Sequence, residues 1–130
     1  MRASAPMLLA SSFGLTLTLM SAGELAGAAE SGQTAFNNRC RTCHSVREGD
    51  NRLGPSLHNV FGAKAGSSAF PAYSQALRNS GITWNEETLN KFIANPDALI
   101  PGNNMKPFGG ISDENERRQI VEYLKSVKQD

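Results

Sequence analysis

The sequence has little net charge and few cysteines and histidines. Its 130 residues include 13 Lys and Arg against 12 Asp and Glu, which gives a formal net charge of +1 at pH 7. A chain so nearly neutral attracts polyanions only weakly, and we expect no nucleic-acid partner. Two cysteines and two histidines are present, so any chemistry of thiols or imidazoles must rest on very few residues.

A long apolar run is also lacking. The uncharged, mostly apolar stretch 7–20 is about 14 residues long, against roughly 20 for a membrane-spanning helix. Arg2 precedes this stretch, and Ala26-Gly27-Ala28 follows it with small residues at the spacing that a signal peptidase recognises. This order is typical of a secretory signal, and an uncleaved membrane anchor is the alternative.

The chain is therefore expected to divide at the end of this signal. Residues 1–28 are predicted to be a cleavable signal peptide, cut after Ala28 or Ala29, and residues 29–130 the mature domain. Export would place that domain in the periplasm as a soluble protein, with no stable membrane insertion after cleavage. No cysteine lies directly after the apolar run, so nothing indicates a lipid anchor.

The mature sequence indicates short helices joined by long loops, with no convincing strand. Thr83-Trp84-Asn85-Glu86 and Asp113-Glu114-Asn115-Glu116 have the spacing of capping boxes, which predicts a helix start at each place. Pro96 should end the first of these helices, and residues 95–111 are predicted to be a loop. The predicted helices cover about residues 30–39, 71–80, 83–94 and 114–128. The expected fold class is all-α.

The two cysteines form the pattern C-x-x-C-H with Cys40, Cys43 and His44. This pattern is the attachment signature of c-type haem, because two thiols at this spacing can bond to two vinyl groups while the histidine reaches the iron. A thioredoxin-like pair would need a βαβ context, and a zinc site would need two more ligands where His58 alone is left. A disulfide across two residues would be strained. Covalent haem is favoured, and a buried haem would supply the core that such long loops need.

Met105 is the one methionine outside the predicted signal peptide. It lies in the Pro- and Gly-rich segment 100–105, without the apolar helical neighbours of a core residue. A neutral thioether favours Fe(II) over Fe(III), so a methionine that binds iron together with a histidine raises the reduction potential. Met105 is therefore a candidate for the second iron ligand beside His44, and core filling is the alternative.

With these features, the sequence resembles class I cytochrome c of the mitochondrial and bacterial electron-shuttle type. The resemblance covers residues 32–128. Its matching segments are Cys40 to His44, Leu53-Gly54-Pro55-Ser56-Leu57, Gly81-Ile82-Thr83-Trp84, Asn95-Pro96, Ile100-Pro101-Gly102 with Met105, and Tyr123-Leu124. It implies the cytochrome c fold, in which short helices and long loops wrap around one covalently attached haem c.

The resemblance also implies roles for single residues. The Pro55 carbonyl should accept a hydrogen bond from the His44 ring, and Tyr73 and Trp84 should donate to a buried haem propionate; ordinary aromatic packing is the alternative for the latter two. The first and last helices should meet through Gly32, Phe36, Ile120 and Tyr123. The expected cofactor-binding residues are Cys40, Cys43, His44, Met105, Pro55, Tyr73 and Trp84, with His44 and Met105 as the metal ligands.

The function implied is that of a monomeric carrier of single electrons, which is not an enzyme and whose iron cycles between Fe(II) and Fe(III). Its partners would be a membrane cytochrome complex, a terminal oxidase, a photosynthetic reaction centre or a periplasmic dehydrogenase. A peroxidase or gas sensor is one alternative, but it would need an open iron site. A domain dedicated to one dehydrogenase is another.

The sequence departs from the family pattern at three places. Ala63 stands where many members have arginine, Asn103 where many have threonine, and Leu77 where a polar side chain often lies near the haem. A reduction potential known for relatives therefore need not apply to this protein. His58 is expected to be an exposed loop residue. Basic side chains could form a docking face thinner than the mitochondrial lysine ring; they are Arg39, Arg41, Lys64, Lys91 and Lys106.

Overall fold

The computed structural model describes residues 6, 10, 14 and 22–127, and within this part the fold is all-α, as predicted. No strand is formed by these residues, and a single isolated antiparallel bridge joins Lys64 to Thr83. No helix in them is long and apolar enough to cross a membrane. The helices are α1 (Ala22–Arg39), α2 (Gln75–Arg78), α3 (Glu86–Ala94), α4 (Pro96–Leu99) and α5 (Glu114–Ser126).

Helix α1 is longer than the sequence predicted. It begins at Ala22 rather than near residue 30 and ends at Arg39 as expected. The prediction began the helix after the predicted cleavage site, although residues 22–30 contain four alanines, a leucine and two glutamates. These are strong helix formers, so the helix continues through the site. Most of the predicted signal peptide lies outside the described residues.

The N-cap of helix α3 lies two residues later than predicted. Asn85, not Thr83, is the N-cap: its side chain accepts from the Thr88 backbone N–H, and the Thr88 hydroxyl accepts from the Asn85 backbone N–H. A capping box with the predicted three-residue spacing is present, but it starts at Asn85, because asparagine caps a helix at least as well as threonine. The Thr83 carbonyl accepts a further bond from the Thr88 hydroxyl at 2.8 Å.

The segment predicted as the loop 95–111 contains the short helix α4. Asn95 ends α3 and caps α4, where its side chain accepts from the Ala98 N–H. Pro96 is the first residue of α4, a position where proline loses no helical hydrogen bond. The proline therefore stops one helix, as predicted, and starts the next.

The first and last helices pack against each other through the four residues expected. Gly32 allows the close approach, because a Cβ there would lie 2.6 Å from the Gln119 carbonyl oxygen and 3.0 Å from Tyr123 Cβ. The Phe36 and Tyr123 rings are 5.4 Å apart, and Ile120 is fully buried.

An ion pair adds to this contact at one end. Asp113 caps α5 through the Glu116 N–H, as its sequence pattern predicted. The Glu116 carboxylate does not reach back to the cap but accepts two hydrogen bonds from Arg39, at 2.6 and 2.9 Å. The end of α1 is thereby tied to the start of α5, immediately before Cys40.

The remaining core is divided between α3, α5 and the loops. Leu89, Phe92 and Ile93 form the buried face of α3, and Ile120, Val121 and Leu124 that of α5. A large cavity lies beside these apolar faces, and long loops close its other walls. The helices thus position one site.

Candidate functional site

The C-x-x-C-H segment forms a tight turn directly after α1. The Cys43 and His44 backbone N–H groups both donate to the Cys40 carbonyl, at 3.1 and 2.9 Å. This turn brings both thiols and the imidazole to one wall of the cavity. Both cysteines are half-buried free thiols in this structure.

The His44 ring is buried and held in one orientation. Its Nδ1 lies 2.7 Å from the Pro55 carbonyl oxygen, which can only accept, so Nδ1 carries the proton. Burial lowers the pKa of His44, although the bond to Pro55 opposes that shift. The ring is therefore neutral at pH 7, and its Nε2 has a free lone pair, the state a metal-binding histidine requires.

Gly54 packs against the face of this ring. Its N–H donates to the Cys43 carbonyl at 2.8 Å, which brings the 53–55 segment onto the motif. A Cβ at this position would lie 2.8 Å from His44 Nδ1 and 3.0 Å from Nε2. A glycine is needed here because of this close approach.

Met105 lines the same cavity and is half-buried. Its backbone N–H donates to the Asn103 side-chain oxygen at 3.1 Å. The structure thus brings together the two side chains that the sequence proposed as iron ligands. A neutral nitrogen and a neutral thioether facing one apolar cavity suit an iron porphyrin, whose ligands include both.

The cavity fits a large, mostly apolar cofactor. Its volume is about 690 Å³, within the roughly 300–1,000 Å³ of ligand sites. Leu89, Phe92, Ile93, Ile120 and Leu124 contribute apolar surface from α3 and α5. The departures Ala63 and Leu77 also line it, together with Asn103, so all three differences from the family pattern face the site.

Tyr73 and Trp84, the predicted donors to a haem propionate, both line the cavity. Trp84 is buried and packs on Phe92 with ring centroids 5.0 Å apart. The Trp84 backbone N–H donates to the Ala63 carbonyl, and the Trp84 backbone carbonyl accepts from the Gly62 N–H. The Tyr73 hydroxyl lies 2.6 Å from Ser68 Oγ. Both residues thus line the cavity that an acidic substituent of a cofactor would enter.

The alternative roles of the cysteine pair, a thioredoxin-like redox pair or a zinc site, do not fit this site. Burial raises the pKa of Cys40 to about 12, whereas redox-active cysteines have a lowered pKa. Among residues 22–127, no group of three or more His, Cys, Asp or Glu side chains could hold a metal ion. The pair therefore fits neither thiol exchange nor zinc binding.

Sequence reasoning missed two features of the site. His58 was expected to be exposed, but it is half-buried in the cavity wall, since the 53–60 loop folds over the cavity. Asn103 was noted only as a departure; it is 6% exposed and its amide makes three hydrogen bonds. A polar residue two positions before the candidate ligand was the one available signal.

An all-α fold with C-x-x-C-H on the wall of one large apolar cavity defines a haem-binding protein of the cytochrome type. The cytochrome c family model matches residues 29–128. The chain belongs to the cytochrome c family.

Individual relatives agree with this assignment. Cytochrome c of Euglena viridis is 41% identical over 102 residues, which cover 78% of this chain and 99% of that protein. Cytochrome c2 iso-1 of Magnetospirillum fulvum is 45% identical over 96 residues, or 73% and 96% of the two chains. The solved structure of cytochrome cH from Methylobacterium extorquens superposes with a TM-score of 0.68 at 41% identity, over 75% of this chain and 97% of that one.

Membership of this family settles the general function and the cofactor. The protein is a class I cytochrome c, a haem electron carrier that passes electrons between redox partners and is not an enzyme. Its cofactor is covalently bound haem c, and Cys40 and Cys43 fit the attachment motif.

Replacing Gly54 with alanine should damage the site directly. The new methyl group would overlap the His44 ring, and overpacking of this kind costs about 1–3 kcal/mol. We expect the thermal midpoint of the holoprotein to fall by several degrees or more. Gly109→Ala is the matched control, because a Cβ there has no atom within 4 Å. Equal shifts in the two variants would contradict the role given to Gly54.

Proposed function

We propose that this protein carries one haem c, attached through Cys40 and Cys43, with His44 and Met105 as the two axial ligands. The observation that carries the proposal is the cavity itself, since both cysteines, the oriented imidazole and the thioether all line it. With both axial positions filled, no substrate reaches the metal, and the site suits outer-sphere electron transfer.

The protein's own residues determine how well it can do this. The bound haem supplies an iron that cycles between Fe(II) and Fe(III). Pro55 holds the His44 ring and makes it a better donor, while the neutral Met105 thioether favours Fe(II). Tyr73 and Trp84 would donate hydrogen bonds to a haem propionate, whose charge is otherwise costly to bury.

We further propose that residues 1–28 are a cleaved signal and that the mature protein is a monomer in the periplasm. The family match beginning at residue 29 supports this boundary, and similarity to bacterial cytochromes c2 supports the location. The partners would be a cytochrome complex of a respiratory chain, a terminal oxidase, a reaction centre or a periplasmic dehydrogenase.

The surface charges favour a docking face that is only weakly basic. Three of the five proposed basic residues are in ion pairs: Arg39 with Glu116, Lys91 with Glu87 and Lys106 with Asp97, at 2.5–2.6 Å. Pairing cancels much of their field. Electrostatic steering raises association rates by about 10- to 1,000-fold, and we expect the lower end of this range here. Reduction by a purified partner should therefore slow less than about tenfold as salt screens the charges.

Carbon monoxide binding tests the closed iron site. We expect the ferrous holoprotein not to bind carbon monoxide at neutral pH, as followed by its absorption spectrum, because Met105 occupies the position the gas would take. Ready binding would show an open site and favour a peroxidase or gas sensor over an electron carrier.

A further inference from the structure

The segment that carries Met105 is held from outside the cavity by one carboxylate. Asp97, in α4, accepts a hydrogen bond from Asn103 Nδ2 at 3.0 Å through Oδ1. Both of its oxygens also lie 2.5 Å from Lys106 Nζ. Asn103 and Lys106 flank Met105 in the sequence, so a single side chain ties the segment on both sides of the candidate ligand.

Asn103 passes this restraint on to the Met105 backbone. Its Nδ2 donates to the Ile100 carbonyl at 2.9 Å as well as to Asp97, and its Oδ1 accepts the Met105 N–H at 3.1 Å. A continuous path of hydrogen bonds therefore runs from the Asp97 carboxylate through the Asn103 amide to Met105. Asn103 is buried, so its amide cannot exchange these partners for water without moving the loop.

We propose that Asp97, acting through Asn103 and Lys106, is a positioning residue that keeps Met105 in place as the iron ligand. The inference rests on the proposed His44/Met105 ligation and assigns the restraint to one carboxylate in this chain. Hydrogen bonds to an ionised carboxylate are stronger than those between neutral groups. The Lys106 hydrogen bond lowers the pKa of Asp97, so this carboxyl is charged at neutral pH.

The restraint acts locally rather than on the whole fold. The Asp97 and Lys106 side chains are 61% and 52% exposed, and exposed ion pairs add little to global stability. Loss of Asp97 should therefore leave the thermal midpoint nearly unchanged. It should instead make it easier for Met105 to leave the iron, which competition with an added ligand measures.

The experiment is an imidazole titration of the ferric holoprotein. Displacement of Met105 is monitored through the loss of the near-infrared charge-transfer band that a sulfur ligand on ferric iron produces. In Asp97→Asn, we expect imidazole to displace Met105 with an apparent affinity about tenfold higher than in the unaltered protein, the effect of losing one charged hydrogen bond. Asp97→Glu, which keeps the charge, should restore part of the difference. Lys106→Gln should show an intermediate effect, and it tests the same restraint if Asp97→Asn fails to fold.

Glu87→Gln is the matched control. Glu87 forms an exposed ion pair with Lys91, with 2.6 Å between the two side chains. The substitution therefore removes one acidic charge from a similar pair, but on α3 and not beside Met105. We expect this variant to match the unaltered protein. An unchanged imidazole affinity in Asp97→Asn and Lys106→Gln, with the band present, would overturn the positioning role alone. Absence of the band from the unaltered protein would overturn the His44/Met105 ligation and this inference with it.

Discussion

Changing Cys40 and Cys43 together to alanine is expected to yield a chain without covalent haem that does not hold the native fold. The cavity of about 690 Å³ lies against the apolar faces of α3 and α5. Without a cofactor these apolar faces would line an empty or water-filled space, and either state costs folding free energy, against a net stability of only about 5–15 kcal/mol. Without the cofactor, the loops that close the cavity would lose the surface that they pack against on that side.

Two measurements check this result. Haem staining of a denaturing gel reports covalent attachment, and circular dichroism reports the helices. The single variants Cys40→Ala and Cys43→Ala serve as controls, since each keeps one thiol for attachment, and both should retain some covalent haem. A double variant that folds without haem to the native helical content would contradict the view that the cofactor supplies the core.

Changing Met105 to alanine is expected to lower the reduction potential strongly. Loss of the thioether removes the ligand that favours Fe(II), and axial ligands set haem potentials over a range of about 0.8 V. We expect a fall that is a sizeable part of this range, along with carbon monoxide binding in the ferrous state. The backbone N–H of residue 105 can still donate to Asn103, so the loop should keep its fold.

The potential is measured by redox titration of the absorption spectrum. Leu53→Ala is the control, because Leu53 lines the cavity but is 78% exposed and cannot bind iron. Leu53→Ala truncates a side chain similar in size to Met105 and should leave the reduction potential nearly unchanged. A Met105→Ala potential close to that of the control would exclude Met105 as a ligand.

Local patterns in the sequence predicted most of the helices. The capping-box pattern at Asp113 placed the start of α5, because the cap and its partner are three residues apart. The same reasoning misplaced the α3 cap, since Thr83 and Asn85 are both good caps and only the tertiary structure chooses between them. Helix α4 was missed because its four residues have no periodic pattern to recognise.

The site was predictable where chemistry depends on short spacing. Cys40, Cys43 and His44 form a contiguous motif, and Met105 was proposed because it is the one methionine outside the predicted signal peptide. The contact of His44 with Pro55 came from the family resemblance and is present at 2.7 Å. The links from Asp97 to Asn103 and Lys106 were not predictable, because they join residues six and nine positions apart across an irregular loop.

The near-infrared absorption of the ferric holoprotein tests the central claim most directly. A weak sulfur-to-iron charge-transfer band arises when a methionine thioether is bound to ferric haem. We predict that the unaltered protein shows this band at neutral pH and that Met105→Ala lacks it. A holoprotein without the band would contradict His44/Met105 ligation and, with it, the closed site on which the proposed mode of electron transfer depends.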